Sequence, residues 1–490
     1  MDHRVSRRAV LAGSLVALSG CSYLGNDTDD GNGDTTPTPA PDSVQVGGDG
    51  SFSSIPSAIE AVAAGGRVEI AAGRYRESIT VNKPDLTIVG AGDVIVSPGE
   101  TVSTAGIDIA ESATGVTIDG VTVTGFTGSR GTISVRGDDA TIRNTVVTDG
   151  FLGIRTDAST VTIEATEVSD CNTGGILVRN GERATLTDVT VESNGGPGID
   201  VDRTPTVEID GTVVRNNASR GIDLDRIDMA TIRNSTATGN ESYGIDVEQC
   251  GSVVLEAVLA DENVNGIDLE ANDSAEITNT IARDNLFHGI AVDRVETVTI
   301  NRTTTDDNGA AGIDCMRAPD VTLSGVASTA NATTGVRLAR FDEASVSSSQ
   351  IADNGGVGLL LADSRVDSSE SFTVSETVLT NNAIGLDLQL LVSADGNTVE
   401  SCHIASNETY GIHNGNRSQT LLATETWWGT EDGPGTDPAI GQLADPETGT
   451  AADGSGNWLS QGTTAGVANV RFDPIATSPP PEPTAGAETA

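Results

Sequence analysis

A glycine that returns at a nearly fixed interval limits this chain more than any other feature. It stands at positions 153, 175, 198, 221, 244, 266, 289, 312, 335 and 358, each 22 or 23 residues after the last. Gly106 and Gly131 precede the run, and Gly385 and Gly411 follow it at wider spacing. Each unit reads Gly-Ile-x-Val or a close variant, then a short turn, then a pattern such as Ala-Thr-Ile, then Thr-Val-x-Val. Gly221-Ile222-Asp223-Leu224 with Thr231-Ile232 is one example, and Gly289-Ile290-Ala291-Val292 with Val298-Thr299-Ile300 another. Within each piece the apolar residues alternate, as in a strand with one buried face. Three short β-branched strands cannot enclose a core alone, so units of this length must stack and bury a shared apolar column. An α-solenoid is excluded by the lack of helical period, and a leucine-rich repeat by the missing leucine spacing. The expectation is an all-β chain forming a single right-handed parallel β-helix of about a dozen coils.

An asparagine keeps phase with this repeat, four residues before the glycine, at Asn194, Asn217, Asn240, Asn285, Asn308, Asn331, Asn354, Asn381 and Asn407. Stacked asparagines at a turn tolerate the left-handed conformation and bond along the stack. At the front, Ser54 to Ala64 places Ile55, Ile59 and Val62 on one helical face, with Pro56 early and Gly65-Gly66 after it. This reads as a short helix plugging the open end of the column. The three tryptophans, Trp427, Trp428 and Trp458, gather near the other end and read as a lid.

Charge narrows the partners. The formal net charge is −44, from 71 acidic and 27 basic residues, and Lys83 is the one lysine. Such a surface fits high salt, where screening removes repulsion between carboxylates. It argues against nucleic acid, whose phosphates need a basic surface. Cys171, Cys250, Cys315 and Cys402 lie several coils apart with no CxxC among them, which indicates packing residues rather than disulfides or a zinc site.

The N-terminus reads as an address. Ser6-Arg7-Arg8 ahead of the apolar run Ala9 to Leu18 resembles a twin-arginine export signal, and Leu18-Ser19-Gly20-Cys21 resembles a lipobox. The implied organisation is a signal over 1–21 with a lipid on Cys21, a disordered tether over 22–42, the β-helix with its caps over 43–476 and a disordered tail over 477–490. A monomer anchored to the outer face of the cell membrane is expected.

Chemistry is expected where outward positions of the glycine-led strand repeat. The second place after glycine reads Asp200, Asp223, Asp246, Asp268, Ala291 and Asp314, and the fourth reads Asp202, Asp225, Glu248, Glu270 and Asp293. Coils about 4.8 Å apart would set two files of carboxylates side by side, an arrangement that costs stability. Arg203, Arg226, Arg294, Arg317 and Arg340 occupy the fifth place, while Arg220, Tyr243, Asn265 and His288 stand just before the glycine. Asp200, Asp223, Asp225, Glu248 and Glu270 are candidate ligands for a hard cation such as Ca2+. Arg220, Arg226, Asn265 and Arg294 are candidate contacts to an acidic polysaccharide or cell-surface glycan.

Several stretches carry family resemblances. Arg67-Val68-Glu69-Ile70 through Ser78-Ile79 resembles the opening coil of pectin-esterase-like and pectate-lyase-like β-helix proteins. Trp427-Trp428-Gly429, Gly433-Pro434 and Phe472-Asp473-Pro474 resemble the closing segment of repeat-rich extracellular β-helix proteins. Tyr243-Gly244-Ile245-Asp246-Val247-Glu248 resembles the catalytic strand of alginate C5-epimerases, Tyr-Gly-Phe-Asp-Pro-His. That resemblance implies catalytic roles for Tyr243, Asp246 and Asp268, with His288 standing in for the histidine that Glu248 replaces. It implies a polysaccharide lyase or C5-epimerase. The alternative is a non-catalytic surface, adhesion or cation-binding scaffold. Four histidines and three methionines in all give too few ligands for copper delivery.

Overall fold

The computed structural model describes residues 39–99, 105–362, 370–390 and 392–487. Ser6-Arg7-Arg8, Cys21 and the tether up to residue 38 lie outside the described residues. The described residues from 40 to 487 form a right-handed parallel β-solenoid with its end caps. Each regular coil carries three strands, as in Ile222–Asp225, Met229–Arg233 and Thr236–Thr238. We call the faces they build the first, second and third. Among the described residues the first face stacks fifteen parallel strands, from Ile79–Val81 to Tyr410–Asn414. That exceeds the dozen coils expected, because the terminal coils lack the Gly-Ile marker or carry longer turns. Neighbouring strands stay in register, Ile199 with Ile222, Ile245, Ile267, Ile290 and Ile313 in turn. The alternating aliphatics fill the interior completely: Ile222, Leu224, Ile245 and Val247 are all fully buried.

Asparagines form a continuous hydrogen-bonded ladder at the corner between the third face and the first. Asn308 is typical: its Oδ1 accepts from Asn285 N at 3.2 Å and Asn285 Nδ2 at 2.9 Å. Its own Nδ2 donates to Ala282 O at 3.0 Å and Asn331 Oδ1 at 2.9 Å. The ladder runs through Asn194, Asn217, Asn240, Asn263, Asn285, Asn308, Asn331, Asn354, Asn382, Asn407 and Asn457. Two points differ from expectation. Asn263 and Asn382, three residues before their glycines, belong to the ladder, and Asn381 does not. The left-handed residue is the one preceding the ladder asparagine, from Asn194 to Asn407, as at Asn216 (φ 54°), Asp307 (φ 51°) and Asn381 itself (φ 56°).

The ladder also explains the glycine. A Cβ at Gly221 would stand 2.7 Å from Asn240 Nδ2 and 2.5 Å from Gly244 O. Each glycine thus leaves room for the amide of the coil above. The repeating pair is one device.

The lower end is closed by the helix α1, Ile55–Ala61, which Ser54 caps through its hydroxyl and which buries Ile55, Ala58 and Ile59. Lys83 Nζ donates to Glu60 O and Val62 O, both at 2.7 Å, satisfying carbonyls at the helix's end. The four described cysteines are free and buried, and burial pushes the Cys250 and Cys402 thiols up to about 12. At the upper end Trp427 and Trp428 are buried. Residues 477–487 lie against the solenoid: Gly486 N donates to Gly325 O at 2.8 Å and Ala487 N to Thr304 Oγ1 at 2.9 Å. No helix among the described residues is long and apolar enough to cross a membrane.

Candidate functional site

The first face carries both carboxylate files in the expected register. Asp200 pairs with Asp223, Asp223 with Asp246, Asp246 with Asp268, and the file ends against Ala291. Beside it run Asp202, Asp225, Glu248, Glu270 and Asp293. The two files live in different surroundings.

The outer file is neutralised from the next coil. Arg226 reaches back to Asp202 at 2.6 Å while also meeting Asp225 at 2.7 Å. Arg294 bonds Glu270 and lies 3.1 Å from Asp293, and Arg317 Nε lies 2.6 Å from Asp293. These arginines sit in the left-handed conformation, at φ 57°, 56° and 53°. Arg226 and Arg294, expected to contact substrate, are thus engaged by the outer file. The arginine column breaks at Gln249 and Ala271, and there Glu248 accepts from Gln249 Nε2, at 3.0 Å.

The inner file is covered by the side chains that precede the glycines. Arg220 Nε lies 2.7 Å from Asp246 Oδ2 and its Nη1 2.9 Å from Asp223 Oδ2. Its guanidinium carbon stands 5.7 Å from the centre of the Tyr243 ring, a cation–π contact. Asn265 Nδ2 donates to Asp268 Oδ2 at 3.1 Å, and Asn265 Oδ1 accepts from His288 N at 3.1 Å. Asp246 is 5 % exposed. Burial, with Asp223, Asp268 and Glu248 adding to it and Arg220 opposing, pushes its carboxyl up to about 7. Burial likewise raises Asp268 and Asp200, with Asn265 opposing at the first and Asp223 adding at the second. The Tyr243 phenol is raised by burial and by the charges of Asp268 and Asp246.

Arg220, Tyr243, Asp246, Asn265 and Asp268 therefore come together as the sequence suggested. His288 borders them, its backbone N bonded to Asn265 Oδ1 and its side chain close enough to oppose the rise of Asp268. Its Nε2 faces Asp314 at 4.0 Å, and its Nδ1 is buried with no hydrogen-bond partner among the described residues. Asp200, Asp223, Asp225, Glu248 and Glu270 do not converge around a point. Among the described residues no three His, Cys, Asp or Glu side chains are grouped to hold a metal ion. The reason is geometric: a ladder sets its side chains in a line, and arginines stand between the lines.

One further grouping, around His413, is not among the sequence candidates. Its Nδ1 lies 2.7 Å from Asp387 Oδ1, on the preceding coil at the same place after the glycine. The signal was the shared phase of Asp387 after Gly385 and His413 after Gly411, hidden by the longer coil between them.

Stacked coils of three strands in parallel register define the class, a right-handed parallel β-helix. The chain belongs to the right handed beta helix region family, which it matches over residues 105–263 and 265–427. No curated protein sequence matches it. Among solved structures it is similar to the A-module of the Azotobacter vinelandii mannuronan C-5 epimerase AlgE6, at 16% identity over 86% of this chain and 94% of that one, TM-score 0.29. It is similar to the periplasmic alginate epimerase AlgG, at 14% over 65% and 76%, TM-score 0.35. It is also similar to the pectate lyase Pel9A, at 16% over 83% of each, TM-score 0.30. Likenesses this distant say nothing of this chain's chemistry.

Proposed function

We propose that the first face between coils 198 and 289 binds and processes an acidic polysaccharide, with Asp246 as the proton-exchanging group. The observation that carries this reading is a buried carboxyl, pushed up to about 7, that Arg220 meets at 2.7 Å while the same guanidinium lies over the Tyr243 ring. A general base works best when its pKa lies close to the working pH. Arg220 supplies the cation that a uronate needs before its C5 proton becomes acidic. Ionised Asp246 takes that proton. In elimination, the C5–H electron pair becomes the C4=C5 double bond while the C4–O bond breaks, and the Tyr243 phenol protonates the leaving oxygen. In epimerisation, no C–O bond breaks and the phenol returns a proton to the opposite face of C5. Asp268 keeps the phenol protonated by raising its pKa, and Asn265 holds Asp268.

Two exposed phenylalanines support an extended ligand. Phe151 and Phe287 each stand two residues before a strand glycine, on coils either side of the inner file. Six coil steps separate them, roughly 29 Å at the rung spacing. Thr173, Gly196, Ser219, Ser242 and Val264 line the same column between them, so a chain can lie there with a ring against each phenylalanine. The twin-arginine and lipobox residues support an address outside the cell, where such polymers are met. The outer file, already neutralised, favours solubility in brine for its own residues.

The test is turnover. Purified protein is incubated with polymannuronate, polyguluronate and polygalacturonate, reading absorbance from unsaturated ends and exchange of the C5 proton by NMR. Activity on one polymer that Asp246→Asn abolishes is the expected result. Wild-type protein that leaves all three polymers unchanged, with no C5 exchange, would overturn the reading.

A further inference from the structure

The last regular coil holds a group that the Asp246 face does not use. Tyr410 and His413 stand one residue before and two after Gly411, the places Tyr243 and Asp246 hold about Gly244. His413 is fixed by Asp387, and the Tyr410 ring stands 5.3 Å from the imidazole, tilted at 38°. Tyr410 is in turn the register partner of Trp458 on the next strand. Trp458, Tyr410 and His413 therefore occupy neighbouring places at the end of the first face, seven coils beyond Tyr243.

Trp458 differs from the other two tryptophans. Trp427 and Trp428 are buried and close the column, whereas Trp458 is half-buried. It walls a cavity of about 360 Å³ together with Glu408, Thr409, Thr430 and Ser455. That volume lies in the range of small-molecule sites, roughly 300–1,000 Å³. The wall is rigid, because Asn457 beside Trp458 is the final rung of the asparagine ladder, accepting from Asn407 Nδ2 at 3.1 Å. A fixed indole costs little to order on binding.

An aromatic face with a polar rim suits a sugar ring, whose C–H face packs on the indole while its hydroxyls find partners. The charge of the rim selects among sugars. Glu408 is exposed. Asp432 accepts from Ser455 N and Oγ, both at 3.1 Å, and its bonds with Thr430 and Ser455 hold it below the usual carboxylate range. With Asp387 nearby, fixed negative charge repels a uronate but accepts hydrogen bonds from neutral hydroxyls.

We propose that this end of the solenoid is a second glycan site, in which a neutral sugar residue stacks on Trp458 and the next residue of the same chain meets Tyr410 and the His413 that Asp387 holds. The site does not depend on the chemistry assigned to Asp246, and one site takes an acidic sugar while the other takes a neutral one.

The experiment titrates the full chain with neutral tetrasaccharides of glucose, mannose and galactose, and with a tetramannuronate, following tryptophan emission and heat. At least one neutral tetrasaccharide shifts the emission of the wild type and saturates. Trp458→Ala weakens it by about tenfold or more, as expected of a stacked anchor. Glu408→Gln, an exposed change that leaves melting unaltered, weakens it about threefold, and so does His413→Gln for the tetrasaccharide but not for the monosaccharide. Asp246→Asn binds as the wild type does, so loss of uronate turnover and loss of this site are read separately. The proposal is overturned if no neutral tetrasaccharide perturbs the wild type at millimolar concentration. It is equally overturned if folded Trp458→Ala and Glu408→Gln both bind as the wild type, or if the uronate binds this site as tightly.

Discussion

Two files of like side chains climb the same solenoid at the same rung spacing, and chemistry alone separates them. At the corner, each asparagine offers its amide donor to the coil above and its oxygen to the coil below, so Asn285, Asn308 and Asn331 complete one another. On the first face, Asp223, Asp246 and Asp268 stack in the same parallel manner, yet a carboxylate offers only acceptors. The amide file is self-satisfying and stabilises the fold. The carboxylate file is self-opposing and persists through Arg220, Asn265 and a proton held on Asp246. A repeat therefore shows its function where stacking works against it.

The largest expected effect comes from giving one file the chemistry of the other. Asn308→Asp removes donors to Ala282 O and Asn331 Oδ1 and leaves a buried charge facing acceptors. It should cost about 3–5 kcal/mol at pH 8, and less at low pH, where the new carboxyl carries a proton. Chemical denaturation at both pH values checks this, and a pH-independent cost would break the comparison.

The reverse exchange should stabilise. Asp246→Asn removes a group whose folded pKa, about 7, stands above its ordinary 3.8. The folded state binds the extra proton between those values, so the wild type's stability is fullest below them and falls as pH rises through about 7. The variant should be about 1–2 kcal/mol more stable at pH 8, discounting the lost bond to Arg220, with little difference at pH 4. Melting at several pH values tests the sign.

A finer test uses adjacent asparagines. Asn382→Ala should cost about 1–3 kcal/mol through the groups it leaves unpaired. Asn381→Ala should cost less than about 1 kcal/mol, since Ala330 already adopts the left-handed place at φ 52° on another coil. Equal costs would contradict the ladder's membership. Smallest is the outer file, where Arg294→Gln should change stability by no more than about 1 kcal/mol and less in high salt.

Much of this was legible in the sequence because a coil's phase fixes which residues stack. The glycines, the alternating aliphatics, both acidic files and Arg220, Tyr243 and Asn265 were placed by counting. Counting failed wherever a coil changed length: Asn263 sits in a 22-residue coil, and Asn382 and His413 follow longer ones. It also could not show that Arg226 and Arg317 reach back to Asp202 and Asp293 on the coil before, since backbone phase does not fix the reach of a long side chain. Nor could it rank the carboxyls, because burial of Asp246 depends on how Arg220 folds over it.

The most direct test is the protonation of Asp246 itself. Infrared difference spectra between wild type and Asp246→Asn, taken across pH, isolate that one carboxyl. The account predicts that a protonated-carboxyl band disappears with a midpoint at about 7. A midpoint in the ordinary carboxylate range, near 4, would show that burial beneath Arg220 does not hold a proton on Asp246, and the account would fail.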